Sequence, residues 1–146
     1  MKAIIILAAG KPHIEDNPSI IFKIFKKNSI LNFIKSSFKS YTNEIVLVSG
    51  FKNKMVKDKF INIKNLKLLI NHDWKKTGNF GSLLKCDIKK YKEIIVLYSD
   101  IIFDQNLCDE LIKSKNDVTF FHSQFYKNQI KYKEKFRIKK VKPANL

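Results

Sequence analysis

Short apolar runs that stop abruptly at small or polar residues set the narrowest limits on what this chain can fold into. The first is Lys2-Ala3-Ile4-Ile5-Ile6-Leu7, which ends in Ala8-Ala9-Gly10. Glu44-Ile45-Val46-Leu47-Val48 stops at Ser49-Gly50, Lys67-Leu68-Leu69-Ile70 at Asn71, and Glu93-Ile94-Ile95-Val96-Leu97-Tyr98 at Ser99-Asp100. Continuous runs of this kind, without polar alternation, read as strands buried on both faces of a parallel sheet. The segments between them carry helical spacing. Ser29 to Ser40 has Ile30, Leu31, Phe33, Ile34 and Phe38 on one stripe behind a Ser29 N-cap. Met55, Val56 and Phe60, with Phe51, supply the next stripe. A polar loop, His72 to Gly78, leads to a helix over Asn79 to Lys90 with Leu83, Leu84 and Ile88 inward. Asp104 to Lys115 reads as a helix with Leu107, Leu111 and Ile112 inward, and Asp117 to His122 as a fifth strand. Strand and helix alternating in this way predict an α/β fold, a doubly wound, mostly parallel sheet with helices on both faces.

The chain has 146 residues, one domain by length. We expect an α/β core over 1–122 and a basic C-terminal segment over 123–146, with an edge strand or hairpin as its form. No apolar run approaches the roughly 20 residues of a membrane helix, and the first is too short and too strand-like for a signal peptide. Cys86 and Cys108 make no short-spaced pair and no metal pattern with the three histidines, which fits reduced thiols in a cytoplasmic protein.

A net charge of +16 invites a nucleic-acid partner. Yet Arg137 is the only arginine among 29 basic residues, and arginine carries most bidentate recognition of phosphates and guanines. Nucleic acid therefore ranks last among the partners, while the positive field favours anionic small molecules such as nucleotides. A dinucleotide-binding domain is disfavoured as well. No G-x-G-x-x-G follows the first strand, and no acidic residue ends the second.

In open α/β sheets, ligands bind beyond the carboxyl ends of the strands. Four ends qualify: Ala8-Ala9-Gly10, Ser49-Gly50, Asn71 with its loop, and Ser99-Asp100. Small residues at the first leave backbone amides open to a phosphate. Asp100 reads two ways, as a ligand for Mg²⁺ bridging phosphate oxygens or as the cap of the following turn. Thr77-Gly78-Asn79-Phe80-Gly81-Ser82-Leu83 joins a loop to a helix amino terminus, a seat for an anion or a polar ring, or else simple capping by Thr77 or Asn79.

Taken in order, these pieces resemble the nucleotidyltransferases that activate sugar phosphates, molybdopterin and phosphocholine. Leu7-Ala8-Ala9-Gly10 looks like their opening motif, and Val48-Ser49-Gly50-Phe51 like their V-x-G-[YF] step. Residues 71–83 resemble the N-x-x-[WY]-x-x-T-x-N-x-x-S-L stretch of the phosphocholine cytidylyltransferase branch, and Ser99-Asp100 stands where the family has a metal-binding G-D. The resemblance runs from residue 1 to about 122 and implies a Rossmann-like nucleotidyltransferase fold. It also implies transfer of a nucleotidyl group, cytidylyl foremost, from an NTP to a phosphorylated or phosphonate small molecule, with release of pyrophosphate. On this resemblance Leu7, Ala8, Ala9 and Gly10 touch the nucleotide, Asn79 and Ser82 lie near base or ribose, and Asp100 holds Mg²⁺. The family continues G-x-G-x-R and then P-K, whose Arg and Lys clamp the triphosphate. Here the loop from Gly10 to Pro18 has neither second glycine nor arginine, and Ser19 follows Pro18. Lys11 and Lys23 are the candidate catalytic substitutes. Family members run on past this point, and their later part supplies a second metal carboxylate and most of the acceptor pocket, for which this sequence has no counterpart. The alternative reading is an inactive relative that binds a nucleotide or a protein partner.

Overall fold

The computed structural model describes residues 1–119 apart from 14–15, 25–27 and 43. The chain divides into two compact units, Met1–Ser114 and Lys115–Leu146, and the architecture below belongs to the first.

Strand β1 (Lys2–Ala8) is followed by a 3-10 turn (Ser19–Ile21) and a minimal antiparallel pair, β2 (Lys23–Ile24) and β3 (Asn28–Ser29). Helix α1 (Ile30–Ser37) comes next, then β4 (Ile45–Ser49), α2 (Asn53–Phe60), β5 (Leu66–Ile70), α3 (Trp74–Leu84), β6 (Glu93–Tyr98) and α4 (Gln105–Lys113). The sheet runs β5-β4-β1-β6, and every pairing in it is parallel. Register brings the carboxyl ends to one edge, with Ala8 opposite Ser49, Ser49 opposite Ile70 and Leu7 opposite Tyr98.

Both faces of β1 are covered, as its unbroken apolar run requires. Ile4, Ile6 and Ala8 point into a core layer built with Ile30, Leu31, Ile34 and Phe38 from α1, Val56 and Phe60 from α2, and Cys108 from α4. Ala3, Ile5 and Leu7 face the opposite layer, where Val46, Val48, Cys86, Tyr91 and Leu83 meet them. Ile4, Ile5 and Ile6 have no solvent exposure, and burial of such a side chain stabilises by about 1.5–3 kcal/mol each. The helix starts expected from polar residues hold. Ser29 Oγ accepts from Asn32 N at 3.2 Å, and Asp104 Oδ1 accepts from Leu107 N at 2.9 Å.

Several expectations are corrected. Residues Trp74–Thr77 form a helical turn rather than a polar loop, and Gly78 joins that turn to Asn79–Leu84 with φ 58°, ψ −156°. That conformation is open essentially to glycine alone. The helix also ends at Leu84, not Lys90. Leu84 and Ile88 are exposed, and Cys86 and Tyr91 fill the core positions instead. Met55 likewise points to solvent, leaving Val56 and Phe60 as the buried stripe of α2. The expected fifth strand lies partly outside the described residues, and the part that is described, 117–119, is not strand. Both cysteines are free and buried, and burial raises both thiol pKa values above the usual range. Among the described residues, no helix is long and apolar enough to cross a membrane.

Because only glycine fits at position 78, Gly78→Ala is expected to lower unfolding stability by about 1–3 kcal/mol. Urea denaturation followed by circular dichroism measures this, and an unchanged midpoint would mean that the kink does not exist in solution.

Candidate active site

The chain moves from β1 to β4 and β5 on one side and then returns across the sheet to β6 on the other. The strand order therefore reverses between β1 and β6, and the crevice above that point is where open α/β sheets bind ligands. A cleft of about 960 Å³ lies there. Leu7 and Gly10 line it from the end of β1, Tyr98, Ser99 and Asp100 from the end of β6, and Asn79 from the first turn after the α3 kink. Lys11, Pro12, His13 and Asn17 close one side, and Lys23, Ile24 and Ile30 another. A second hollow of about 510 Å³ lies at the opposite, amino-terminal edge, lined by Thr42, Glu44, Asn65, Leu66 and Lys67. Its carboxylate is already engaged, since Lys90 Nζ and Tyr91 Oη both donate to Glu44. The Tyr91 bond, helped by Lys90, holds the Glu44 carboxyl below the usual carboxylate range.

Of the nine residues marked in the sequence, the structure gathers Leu7, Gly10, Lys11, Lys23, Asn79 and Asp100 around the one cleft. Ala8 and Ala9 are buried just behind it, and the Ala9 carbonyl accepts from Phe51 N at 2.8 Å. Gly10 matters for the space it leaves. A Cβ built there meets nothing within 4 Å, so the open volume beside Gly10 belongs to the cleft and not to the fold. Asp100 is exposed, and among the described residues its carboxylate accepts no hydrogen bond; the cap of α4 is Asp104. A single free carboxylate at a cleft edge suits Mg²⁺, which is commonly bound by one or two carboxylates together with substrate phosphates. No cluster of three or more His, Cys, Asp or Glu exists among the described residues, so any such ion would draw its other ligands from substrate or water.

Ser82 does not face the cleft. It is 1% exposed, its Oγ donates to the Gly78 carbonyl at 3.1 Å and accepts from Asn71 Nδ2 at 3.0 Å. Asn71, wholly buried, is the hub of this corner. Its Nδ2 also donates to Thr77 Oγ1 at 2.9 Å, and its Oδ1 accepts from Asp73 N at 3.1 Å. One side chain thus joins both halves of the kinked α3 to the end of β5, which aims Asn79 at the cleft. Thr77 serves this network rather than capping a helix, for its hydroxyl donates to the Asp73 carbonyl. The start of α3 is also pinned by Trp74, packed against Gly50 so closely that a Cβ there would lie 2.8 Å from the indole and 2.7 Å from the Ala9 carbonyl.

Two charged residues beside the cleft-lining Lys11 escaped the sequence reading. Asp16 is paired with both Lys11, at 3.6 Å, and Lys52, at 2.8 Å. The Lys52 hydrogen bond is the main reason its carboxyl sits below the usual range. Neither residue belongs to a periodic pattern, so only folding shows that they meet. Tyr98 was hidden for a different reason, being the last residue of an apolar strand yet exposed at its cleft end.

A cleft at the switch point of such a sheet defines the class of the molecule, an open α/β fold with its ligand crevice at the strand-order reversal. The fold resembles that of the solved CTP:phosphocholine cytidylyltransferase from Streptococcus pneumoniae, with a TM-score of 0.51 and 20% identity over 69% of this chain and 50% of that one. In sequence the chain is 30% identical over 128 residues to the CTP:phosphoglutamine cytidylyltransferase of Campylobacter jejuni, covering 78% of this chain and 49% of the relative. It is also 30% identical over 105 residues to the bifunctional protein GlmU of Blochmanniella pennsylvanica, covering 68% of this chain and 22% of that protein. No family model matches it. In sequence and fold the chain is similar to NTP-transferases related to the cytidylyltransferases, and it spans 49% and 22% of the lengths of these two curated relatives.

Replacing Asn71 by alanine removes three hydrogen bonds from a buried corner. At about 1 kcal/mol each, the expected loss is roughly 3 kcal/mol of unfolding free energy. Equilibrium urea unfolding checks it, and a loss below about 1 kcal/mol would remove Asn71 from its place as the hub.

Proposed function

We propose that the cleft binds a nucleoside triphosphate, CTP foremost, and transfers its nucleotidyl group to a phosphorylated or phosphonate small molecule. An oxygen of the acceptor phosphate attacks the α-phosphorus, the bond from that phosphorus to the bridging oxygen breaks, and pyrophosphate leaves with the electron pair. The observation that carries this reading is the position of the cleft, at the strand-order reversal between β1 and β6, with Gly10 on one lip and Asp100 on the other. CTP is favoured because the Campylobacter jejuni relative is named for that nucleotide.

In this reading the protein works mainly by positioning and by offsetting charge on the pentacoordinate phosphorus. The backbone around Gly10 lies against the nucleotide, Asn79 offers its amide to the base or ribose, and Lys11 and Lys23 face the phosphates. Ala8, Ala9 and Ser82 act from behind, by holding the β1 end and the α3 kink in place. Asp100 is the residue that would hold Mg²⁺, which when bound supplies positive charge to the phosphate oxygens. A second reading, nucleotide binding without turnover, draws support from the segment 10–18, which contains no arginine and no second glycine.

The test pairs binding with chemistry. With CTP, Mg²⁺ and phosphocholine or other phosphorylated small alcohols, the chain is expected to release pyrophosphate. Asp100→Asn is expected to slow that release by about 10²–10³-fold, the usual effect of removing one group that stabilises transition-state charge. Gly10→Ala is expected to weaken nucleotide binding at least about tenfold while leaving the melting temperature unchanged, because the added methyl meets no atom of the chain. Binding without pyrophosphate from any NTP would select the second reading. A chain that binds no nucleotide would dispose of both.

A further inference from the structure

We propose that the Asp16 carboxylate is an internal occupant of a phosphate seat, holding the ammonium groups of Lys11 and Lys52 until a polyphosphate takes its place. The inference deepens the nucleotide reading, on which the identity of the incoming phosphate rests. It also adds Lys52, which meets Lys11 across Asp16, to Lys11 and Lys23 as a cation for the phosphates.

The geometry starts from the two lysines. Lys11 lines the cleft, and Lys52 stands at the turn between β4 and α2. Both Nζ atoms lie against the Phe51 ring, at 5.7 Å and 5.5 Å from its centroid, and that ring is itself packed on Trp74. The aromatic platform is therefore fixed by the sheet end and α3 rather than by the ligand. Lys52 is held in the left-handed region, φ 44°, ψ 42°, and its backbone forms an isolated parallel bridge with Gly50. A lysine kept in a sparsely populated conformation on the sheet's carboxyl edge has its direction set by the scaffold.

Asp16 differs from both. It sits in the segment between β1 and the Ser19–Ile21 turn, outside regular structure, with an exposed side chain that spans 3.6 Å to Lys11 and 2.8 Å to Lys52. One carboxylate facing two ammonium groups leaves the cluster a net positive charge. A terminal phosphate, with close to two negative charges and three acceptor oxygens, matches the pair better. Exposed carboxylate–ammonium pairs contribute little to stability, so exchanging the carboxylate for a phosphate costs little.

The experiment titrates the full chain with inorganic tripolyphosphate and, in parallel, with CTP, at low salt without Mg²⁺. It uses the wild type, Asp16→Asn, Lys52→Met and the double variant. If Asp16 competes with phosphate, Asp16→Asn binds tripolyphosphate about five- to tenfold tighter. Lys52→Met then binds about tenfold weaker than wild type, and the double variant loses the gain. Unchanged or weaker binding by Asp16→Asn overturns the proposal, as does absence of tripolyphosphate binding in every form. A fall in melting temperature together with weaker binding would make Asp16 a structural brace and overturns it equally. The two readings separate cleanly. If Asp16→Asn tightens tripolyphosphate but CTP binds no better than tripolyphosphate, the phosphate seat stands and the nucleotide reading falls. If CTP binds while Asp16→Asn changes nothing, the reverse holds.

Discussion

Everything in this molecule hangs from β1. Parallel ladders hold it on both sides, β4 on one and β6 on the other, and packed layers cover both of its faces. A strand in that position has no free edge and no wet face, so from Ala3 to Ala8 each residue is apolar or small, with only Lys2 at its open end charged. The same confinement makes its end informative. Where β1 leaves the sheet the backbone passes into the crevice, and room opens at Gly10, behind which Ala8 and Ala9 are buried. The site is thus a consequence of topology. The chain reverses its direction of travel across the sheet beside β1, and among the described strands no other point at the carboxyl edge opens between two diverging connections.

The second constraint is the corner between β5 and α3. A helix that began at Asn71 and ran straight would carry Asn79 on a fixed phase with Trp74. The Gly78 break re-aims the second half, and Asn71 holds the two halves together through Thr77 and Ser82. Backbone strain is avoided by glycine, and the polar groups freed at the break are met by side chains. Without that pairing the wholly buried Asn71 amide would lose its acceptors, at a cost of about 1–3 kcal/mol. Ser49 shows the contrast, as its buried hydroxyl has no partner among the described residues.

Legibility in the sequence follows the range of the forces involved. The strands were readable because burial on both faces writes an unbroken apolar run, α1 because the Ser29 cap sits just ahead of its stripe, and α4 from its stripe alone. Gly10 and Asp100 were readable from the rule that ligands lie beyond carboxyl strand ends, and Asn79 from the helix start and the family resemblance; all three line one cleft. The turn at Trp74–Thr77 was not, because its stability comes from Trp74 packing on Gly50 and from Asn71, contacts between segments that no local period encodes. Ser82 was misplaced for a related reason. Spacing puts it one turn from Asn79, but only the kink decides which of the two faces the solvent. Asp16 and Lys52 are separated by 36 positions and lie on the surface, where pattern carries no information at all.

The charge of the chain takes a different meaning from this arrangement. Spread over the surface, an excess of lysines produces only a diffuse positive field, which steers anions without selecting them. Selection needs ammonium groups whose directions are set before the ligand arrives, because a flexible lysine loses its freedom on binding and an oriented one has already lost it. Lys11 and Lys52 are oriented here by an aromatic ring and a carboxylate, the materials available to a chain with a single arginine. An arginine brings its own planar fork and needs no such support. A lysine pair must be braced from outside, and a brace that is itself an anion necessarily occupies the place where the phosphate is to go.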